Sequence, residues 1–88
     1  MEIKKVVVIG SGTMGSGIAA HLCNANIPVT LLDLKTEISE QARDRIYKSR
    51  PPLLLDKSKI NNIKVGNITD NFSEVAEADW VVEAVVER

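Results

Sequence analysis

Three glycines near the start of the chain have the spacing of a phosphate-binding loop. Gly10, Gly12 and Gly15 form the pattern G-x-G-x-x-G, and the expected strand 5–9, apolar from residue 6 onward, precedes them. Gly10 allows a tight turn out of a strand, Gly12 lets the backbone approach a pyrophosphate, and Gly15 lets a helix lie close to the strand. A helix that begins here points free N–H groups at a bound anion, and its dipole favours negative charge. The pattern therefore predicts a dinucleotide-binding βαβ unit.

Two further residues of the turn and one aspartate complete the predicted site. Thr13 and Met14 lie in the first turn of the predicted helix, so we expect their amides to donate to the phosphates. Asp33 ends the apolar run 28–33, and it follows Gly15 by 18 residues. A carboxylate at this spacing can accept hydrogen bonds from both hydroxyls of the adenosine ribose. It would also repel a 2′-phosphate, which favours NAD over NADP; Lys35 weakens that preference without replacing the acid.

Each of these features also has an interpretation without a ligand. A lone G-x-G-x-x-G is more often a glycine-rich turn, and Asp33 taken alone is a solvated acid at a strand end. The order strand, glycine turn, helix, strand, acid favours dinucleotide binding over both. His21, the single histidine, lies within the predicted helix, where a surface or packing role is expected. Cys23, the single cysteine, excludes an internal disulfide and is expected to be a small buried hydrophobe.

The apolar and breaker patterns predict four strands and three helices. Pro28 and the pair Pro51-Pro52 interrupt helical periodicity, and we expect Gly66 to end the third strand. On the second helix, Ile38, Ala42 and Ile46 are predicted to form the buried face. The expected strands are 5–9, 29–34, 63–65 and 80–86, and the expected helices are 13–24, 37–48 and 72–76.

The first and fourth strands are nearly continuous apolar runs, which is typical of parallel strands that are buried on both faces. Right-handed crossovers then give the strand order 3-2-1-4. The expected fold class is α/β, a Rossmann-type parallel sheet that forms an incomplete doubly wound domain. Residues 1–88 would be the N-terminal part of a dinucleotide-binding domain, since such a domain continues with further strands.

The composition limits the classes of partner. The chain has 88 residues, a formal net charge of −1 and 44% hydrophobic residues. This charge gives no electrostatic reason to expect nucleic acid or an anionic membrane as a partner. No apolar run reaches membrane-spanning length, and the first strand begins too early to leave room for a signal peptide. A cytoplasmic location is therefore expected by default.

The glycine segment 10–19 and the segment A-D-W-V-V-E-A-V-V-E, residues 78–87, together resemble the N-terminal domain of the NAD-dependent 3-hydroxyacyl-CoA dehydrogenases. The likeness covers the whole chain but only about the first third of a family member. It implies that the adenosine and pyrophosphate of NAD are held by Gly10, Gly12, Thr13, Met14, Gly15 and Asp33. It also implies that Ala84 and Glu87, at the end of the fourth strand, lie along the nicotinamide half. Glu83 is mid-strand, where a structural role is expected.

The resemblance implies a reaction as well, hydride transfer between NAD and the C3 hydroxyl of an acyl-CoA. The family's catalytic histidine, its glutamate partner and the assisting serine and asparagine lie beyond the position that matches Arg88. We therefore expect no catalytic residue and no metal site in this chain, and acyl-CoA binding only in the complete enzyme. The region between the second and third strands carries more basic than acidic residues, and these could contact CoA phosphates. A solvated helix face is the favoured interpretation. The basic residues are Arg43, Arg45, Lys48, Arg50, Lys57 and Lys59.

Three hypotheses remain open at this point. The chain is an inactive fragment of a 3-hydroxyacyl-CoA dehydrogenase that oxidises 3-hydroxyacyl-CoA in fatty-acid β-oxidation, a non-catalytic NAD-binding or regulatory module, or one part of a split enzyme. We expect weak NAD binding, confined mainly to the adenosine half. The fourth strand would be an apolar edge with unpaired backbone groups, so we expect a homodimer that buries residues 80–87.

Overall fold

The computed structural model describes residues 4–49 and 53–84 as four strands, three α-helices and one 3-10 helix. Helices and strands alternate along most of the chain, as the sequence predicts for a parallel sheet. In chain order the elements are β1 (Val6–Ile9), α1 (Thr13–Asn24), β2 (Val29–Asp33), α2 (Thr36–Lys48), the 3-10 helix (Lys57–Asn62), β3 (Ile63–Asn67), α3 (Ser73–Glu77) and β4 (Trp80–Glu83).

The four strands form one parallel sheet in the order β3-β2-β1-β4, which confirms the predicted topology. Val6 of β1 pairs with Val29 of β2 on one side and with Trp80 of β4 on the other. The strands are thus aligned at their amino ends, and β2 and β3 extend one pair further at their carboxyl ends, to Asp33 and Asn67. Their carboxyl ends meet at one edge of the sheet, which is where doubly wound folds bind ligands.

The core lies between the sheet and helices α1 and α2. Val6, Val8 and Leu31 are fully buried, and they belong to one apolar cluster with Ala19 of α1 and Ile46 of α2. Small residues on α1 allow this close packing on the sheet, because large side chains there would hold the helix away. Both β1 and β2 are buried along nearly their whole length, as expected for central strands of a parallel sheet.

The buried face of α2 differs from the predicted one. Ala42 and Ile46 are buried, but Ile38 is 37% exposed, and Ser39 takes its place in the interior. The hydroxyl of Ser39 donates to the carbonyl of Gly66 at 2.8 Å, so its polar group is satisfied within the core. The predicted face is therefore confirmed at Ala42 and Ile46 and wrong at its first position, where Ser39 is buried in place of Ile38.

Two elements between α2 and β4 were predicted incompletely. The 3-10 helix was not predicted; it begins after Asp56, whose carboxylate accepts from the amide of Ser58 at 2.9 Å. β3 does not end at Gly66 but continues to Asn67, which pairs with Asp33. The glycine fits there because a Cβ at Gly66 would overlap the side-chain amide of Asn71.

The fourth strand is exposed rather than buried on both faces. Trp80 is 51% exposed and Val81 is 36% exposed, because within the described residues β4 pairs with β1 alone. The strand is described to Glu83, and residues 85 and 86 of the predicted strand lie outside the described residues. Within the described part of the chain, no helix has the length and apolar character needed to cross a membrane.

Candidate dinucleotide site

The glycine turn leaves β1 through a backbone conformation that favours glycine. Gly10 has φ of 101°, in the left-handed region that other residues adopt only with strain. Its N–H donates to the carbonyl of Leu32 at 2.8 Å, which joins the turn to β2. The role predicted for Gly10, a tight turn out of the strand, is thus what the geometry requires.

Gly15 lies against the turn that it follows. A Cβ at Gly15 would overlap the carbonyl oxygen of Gly10, and it would lie 2.9 Å from the carbonyl carbon and 3.5 Å from the Cβ of Ala84. Only a residue without a side chain lets α1 approach β1 this closely. The same contact places Ala84 beside the glycine turn, where its amide donates to the carbonyl of Ile9 at 2.7 Å.

The first turn of α1 is open to solvent and has the polarity of an anion site. Gly12, Thr13 and Met14 are exposed, and a Cβ added at Gly12 would meet no described heavy atom within 4 Å. None of the described side chains caps α1 at its N-cap residue Gly12. The first turn of α1 contains no acidic residue. The amides at this end can therefore donate to a ligand, and the helix dipole favours a negative one. These features fit the pyrophosphate of a dinucleotide.

Asp33 ends β2 directly beside the glycine turn. Its Oδ2 accepts from the amide of Ser11 at 2.8 Å and from the Ser11 hydroxyl at 2.6 Å, and its Oδ1 accepts from the amide of Leu34 at 2.7 Å. Partial burial raises the pKa of Asp33, but the hydrogen bonds from Ser11 and Leu34 outweigh it and hold the pKa below its usual value. The side chain is therefore an ionised acceptor at neutral pH, at the position where the ribose of a dinucleotide is expected.

Ser11 was not among the predicted site residues, although it joins three elements. Besides its two bonds to Asp33, its carbonyl accepts from the hydroxyl of Ser16 at 2.9 Å and from the guanidinium of Arg45 at 3.1 Å. Helix α2 thus holds the glycine turn through Arg45. Ser11 occupies a variable position of the G-x-G-x-x-G pattern, and no sequence signal marks it or its partners Ser16 and Arg45.

The basic residues of α2 and the following segment are tied to the backbone more than the sequence predicted. Arg43 donates to the carbonyls of Ile63 and Ile60, at 3.0 and 3.2 Å. Lys57 donates to the carbonyl of Tyr47 at 2.8 Å and lies over its ring. Arg43 is therefore partly buried rather than part of a solvated face, whereas Arg45, Lys48 and Lys57 are exposed, as the favoured interpretation expects. Arg50 lies outside the described residues.

One predicted site residue lies outside the described part of the chain, and the single histidine lies apart from the glycine turn. Glu87 lies outside the described residues. His21 is exposed near the end of α1, about 12 Å along the helix from Thr13. It has no described contact with Asp33, in keeping with the surface role expected from the sequence.

Comparison with known proteins assigns the family. A family model described as "3-hydroxyacyl-CoA dehydrogenase, NAD binding domain" matches residues 5–88. The chain belongs to this NAD-binding domain family. The resemblance inferred from residues 10–19 and 78–87 is therefore confirmed, and NAD is the cofactor of the family.

Relatives and solved structures agree with this family. The chain is 40% identical over 95 residues to a probable 3-hydroxyacyl-CoA dehydrogenase of Deinococcus radiodurans, and covers 28% of that protein. It is 38% identical over 108 residues to a protein of the same description from Bacillus subtilis, and covers 14% of it. In both comparisons nearly all of this chain is aligned.

Among solved structures, the fold matches FadB2 of M. tuberculosis with a TM-score of 0.82 and 27% identity, covering 100% of this chain and 33% of that one. It matches 3-hydroxybutyryl-CoA dehydrogenase of Escherichia coli with a TM-score of 0.78 and 31% identity, covering 100% of this chain and 20% of that one. The chain thus spans a third or less of the length of these proteins.

Proposed function

We propose that the carboxyl edge of this sheet binds NAD through the residues identified from the sequence. Gly10, Gly12 and Gly15 shape the turn, the amides of Thr13 and Met14 hold the pyrophosphate, and Asp33 accepts from the adenosine ribose. Ala84 and Glu87 would lie along the nicotinamide half. The proposal is supported chiefly by one observation: the Asp33 carboxylate lies against the first glycine turn, held by Ser11 at 2.8 and 2.6 Å.

The same carboxylate favours NAD over NADP. An ionised Asp33 repels a 2′-phosphate on the ribose, by a few kcal/mol at close range and intermediate dielectric. The hydrogen bonds that lower the pKa of Asp33 keep it ionised at neutral pH. Lys35 lies two residues after Asp33 and is the N-cap residue of α2. It does not replace Asp33 as the acceptor for the ribose.

We propose further that the chain is the NAD-binding fragment of a 3-hydroxyacyl-CoA dehydrogenase. Residues 1–88 would form the N-terminal part of its Rossmann domain. When bound, NAD supplies the hydride acceptor for oxidation of a 3-hydroxyacyl-CoA to a 3-oxoacyl-CoA, a step of fatty-acid β-oxidation. The described residues of this chain bind and orient the cofactor. Proton removal from the substrate hydroxyl needs a base within hydrogen-bond reach, and exposed His21 on α1 is not that base. Acyl-CoA binding belongs to the complete enzyme.

The assembly and location are also proposals. We propose a homodimer that pairs through β4, because its free edge and the half-exposed Trp80 leave backbone and apolar groups uncovered among the described residues. We propose a cytoplasmic location, because a reducing compartment suits the free thiol of Cys23 and the NAD requirement of the family.

Amide chemical-shift mapping tests the binding site residue by residue. NAD added to the ¹⁵N-labelled chain should shift the amides of Gly12, Thr13 and Met14, together with that of Leu34, which donates to Asp33. The amide of Asp79, at the opposite edge of the sheet, should not move; it donates to the carbonyl of Lys5 at 2.9 Å. Shifts confined to the Asp79 edge, or none at saturating NAD, would contradict the proposed site.

A further inference from the structure

The Asp33 carboxylate has most of its acceptor capacity occupied by the protein. An ionised carboxylate offers about four lone-pair positions. Among the described residues, three of them are used, by the Ser11 amide, the Ser11 hydroxyl and the Leu34 amide. One position is left for a ligand.

An adenosine ribose presents two adjacent hydroxyls, and both are donors. The one free acceptor position of Asp33 can accept from one ribose hydroxyl. The second hydroxyl can bind only if one of the three protein donors releases its position on the carboxylate. The two backbone amides are fixed by the glycine turn and by the end of β2. The Ser11 hydroxyl is held by rotation about a single bond, so it is the donor that can be displaced.

From this arrangement we infer that the Ser11 hydroxyl competes with the ribose diol for Asp33, and that Ser11 thereby sets how strongly the site uses that diol. The inference rests on the proposed NAD site and deepens it by naming a residue that lowers affinity. Ser11 is 1% exposed, so a displaced hydroxyl does not gain a bond to bulk water in exchange. Its bond to a charged acceptor at 2.6 Å is also of the stronger kind, so the competition is substantial.

Removing the hydroxyl should therefore strengthen binding, contrary to the usual effect of deleting a polar group in a binding site. In Ser11→Ala the backbone amide still donates to Asp33, and two acceptor positions become available to the diol. We expect ADP to bind Ser11→Ala about three- to tenfold more tightly than the wild type, the net worth of one hydrogen bond. Ser16→Ala is the matched control, because its buried hydroxyl donates to the Ser11 carbonyl and not to Asp33; it should give no gain.

The dependence on the diol separates this mechanism from a general loosening of the turn. 2′-deoxy-ADP brings one hydroxyl, which the free position of Asp33 accommodates in wild type and variant alike. The gain from Ser11→Ala should therefore appear with ADP and disappear with 2′-deoxy-ADP. Comparison of the four dissociation constants gives the coupling between the Ser11 hydroxyl and the ribose hydroxyl.

The experiment is a titration of ADP and 2′-deoxy-ADP into the full chain, with NAD as the reference ligand. Equal or weaker ADP binding by Ser11→Ala, or an equal gain with both ligands, would overturn the inference and leave the NAD site standing. If neither NAD nor ADP binds the wild type, the proposed function fails and the inference fails with it. Ser11→Gly also removes the hydroxyl, and it replaces Ser11→Ala if the latter does not fold.

A measurement on the wild type alone tests the same inference without any variant. Since the wild type can satisfy only one ribose hydroxyl fully, it should bind ADP less than about threefold more tightly than 2′-deoxy-ADP. A preference for ADP well above about tenfold would mean that Asp33 accepts both hydroxyls despite Ser11, and would overturn the inference.

Discussion

Gly15 lies directly against the carbonyl of Gly10, so closely that a Cβ at Gly15 would overlap the carbonyl oxygen. The glycine turn and the first turn of α1 therefore pack directly against each other. This packing places the N-terminus of α1 at the end of β1. This contact also brings Gly15 beside Ala84 at the end of β4. The shape of the candidate site depends on the absence of one methyl group.

Gly15→Ala should destabilise the fold strongly. The added methyl meets backbone rather than a flexible side chain, so α1 must move away from β1. We expect a loss at or above the upper end of the about 1–3 kcal/mol typical of overpacking, measured as the free energy of unfolding in urea. Gly17→Ala is the matched control in the same helix: its Cβ meets no described atom within 4 Å, and it should stabilise the fold by about 0.5–1 kcal/mol. Equal effects of the two variants would contradict this packing.

Ile46→Ala should cost far more stability than Ile38→Ala. Ile46 is 1% exposed within the apolar core, and Ile38 on the same helix is 37% exposed. Truncation of a buried isoleucine leaves a cavity and costs about 2–5 kcal/mol, while an exposed one should cost a small fraction of that. Urea unfolding of both variants checks the orientation of α2. A loss for Ile38→Ala as large as that for Ile46→Ala would show that Ile38 is buried, as apolar periodicity predicts, and would contradict the described fold.

The positions of the sheet and of the predicted site followed from the sequence because their signals are local. The glycine turn, the bounds of α1 and the acid at the end of β2 are each encoded within a few residues, and the crossover rule then orders the strands. The burial of Ser39 in place of Ile38 was missed because Ser39 is polar, and its burial depends on the carbonyl of Gly66 on a different element. Ser11 was missed for the same reason: its partners Asp33, Ser16 and Arg45 lie on three elements that only the folded chain brings together.

The pH dependence of stability should contain a contribution from Asp33. Its pKa is lowered in the folded state, so the carboxylate stabilises the fold above its unfolded pKa of about 3.9, and this contribution is lost as the pH falls through the lower folded value. The difference in unfolding free energy between wild type and Asp33→Asn should therefore shrink below about pH 4.

Ser11→Ala removes one of the hydrogen bonds that lower the pKa of Asp33, so a carboxyl NMR titration should show a higher pKa for Asp33 in this variant. An unchanged or lower pKa would contradict the described hydrogen bonds.

Trp80 provides a direct reporter of assembly through β4. It is the single tryptophan of the chain and is 51% exposed in the described fold. If two β4 edges pair, its fluorescence should shift to shorter wavelength as protein concentration rises, in step with a dimer in sedimentation equilibrium. Val81→Lys places a charge on the exposed face of the same strand and should weaken the dimer, as charges do at natural sheet edges. A stable monomer at high micromolar concentration, with constant Trp80 emission, would contradict the proposed homodimer.

The proposed role of Asp33 in holding the adenosine ribose of NAD is tested most directly by calorimetric titration of NAD into wild type, Asp33→Ala and Asp44→Ala. Asp44 is the matched control, an exposed acid on α2 that pairs with Lys48 at 3.2 Å, away from the glycine turn. Asp33→Ala should weaken binding by about 1–3 kcal/mol, the worth of a charge-assisted hydrogen bond, while Asp44→Ala binds as the wild type does. Equal affinities of the wild type and Asp33→Ala would contradict the proposed site.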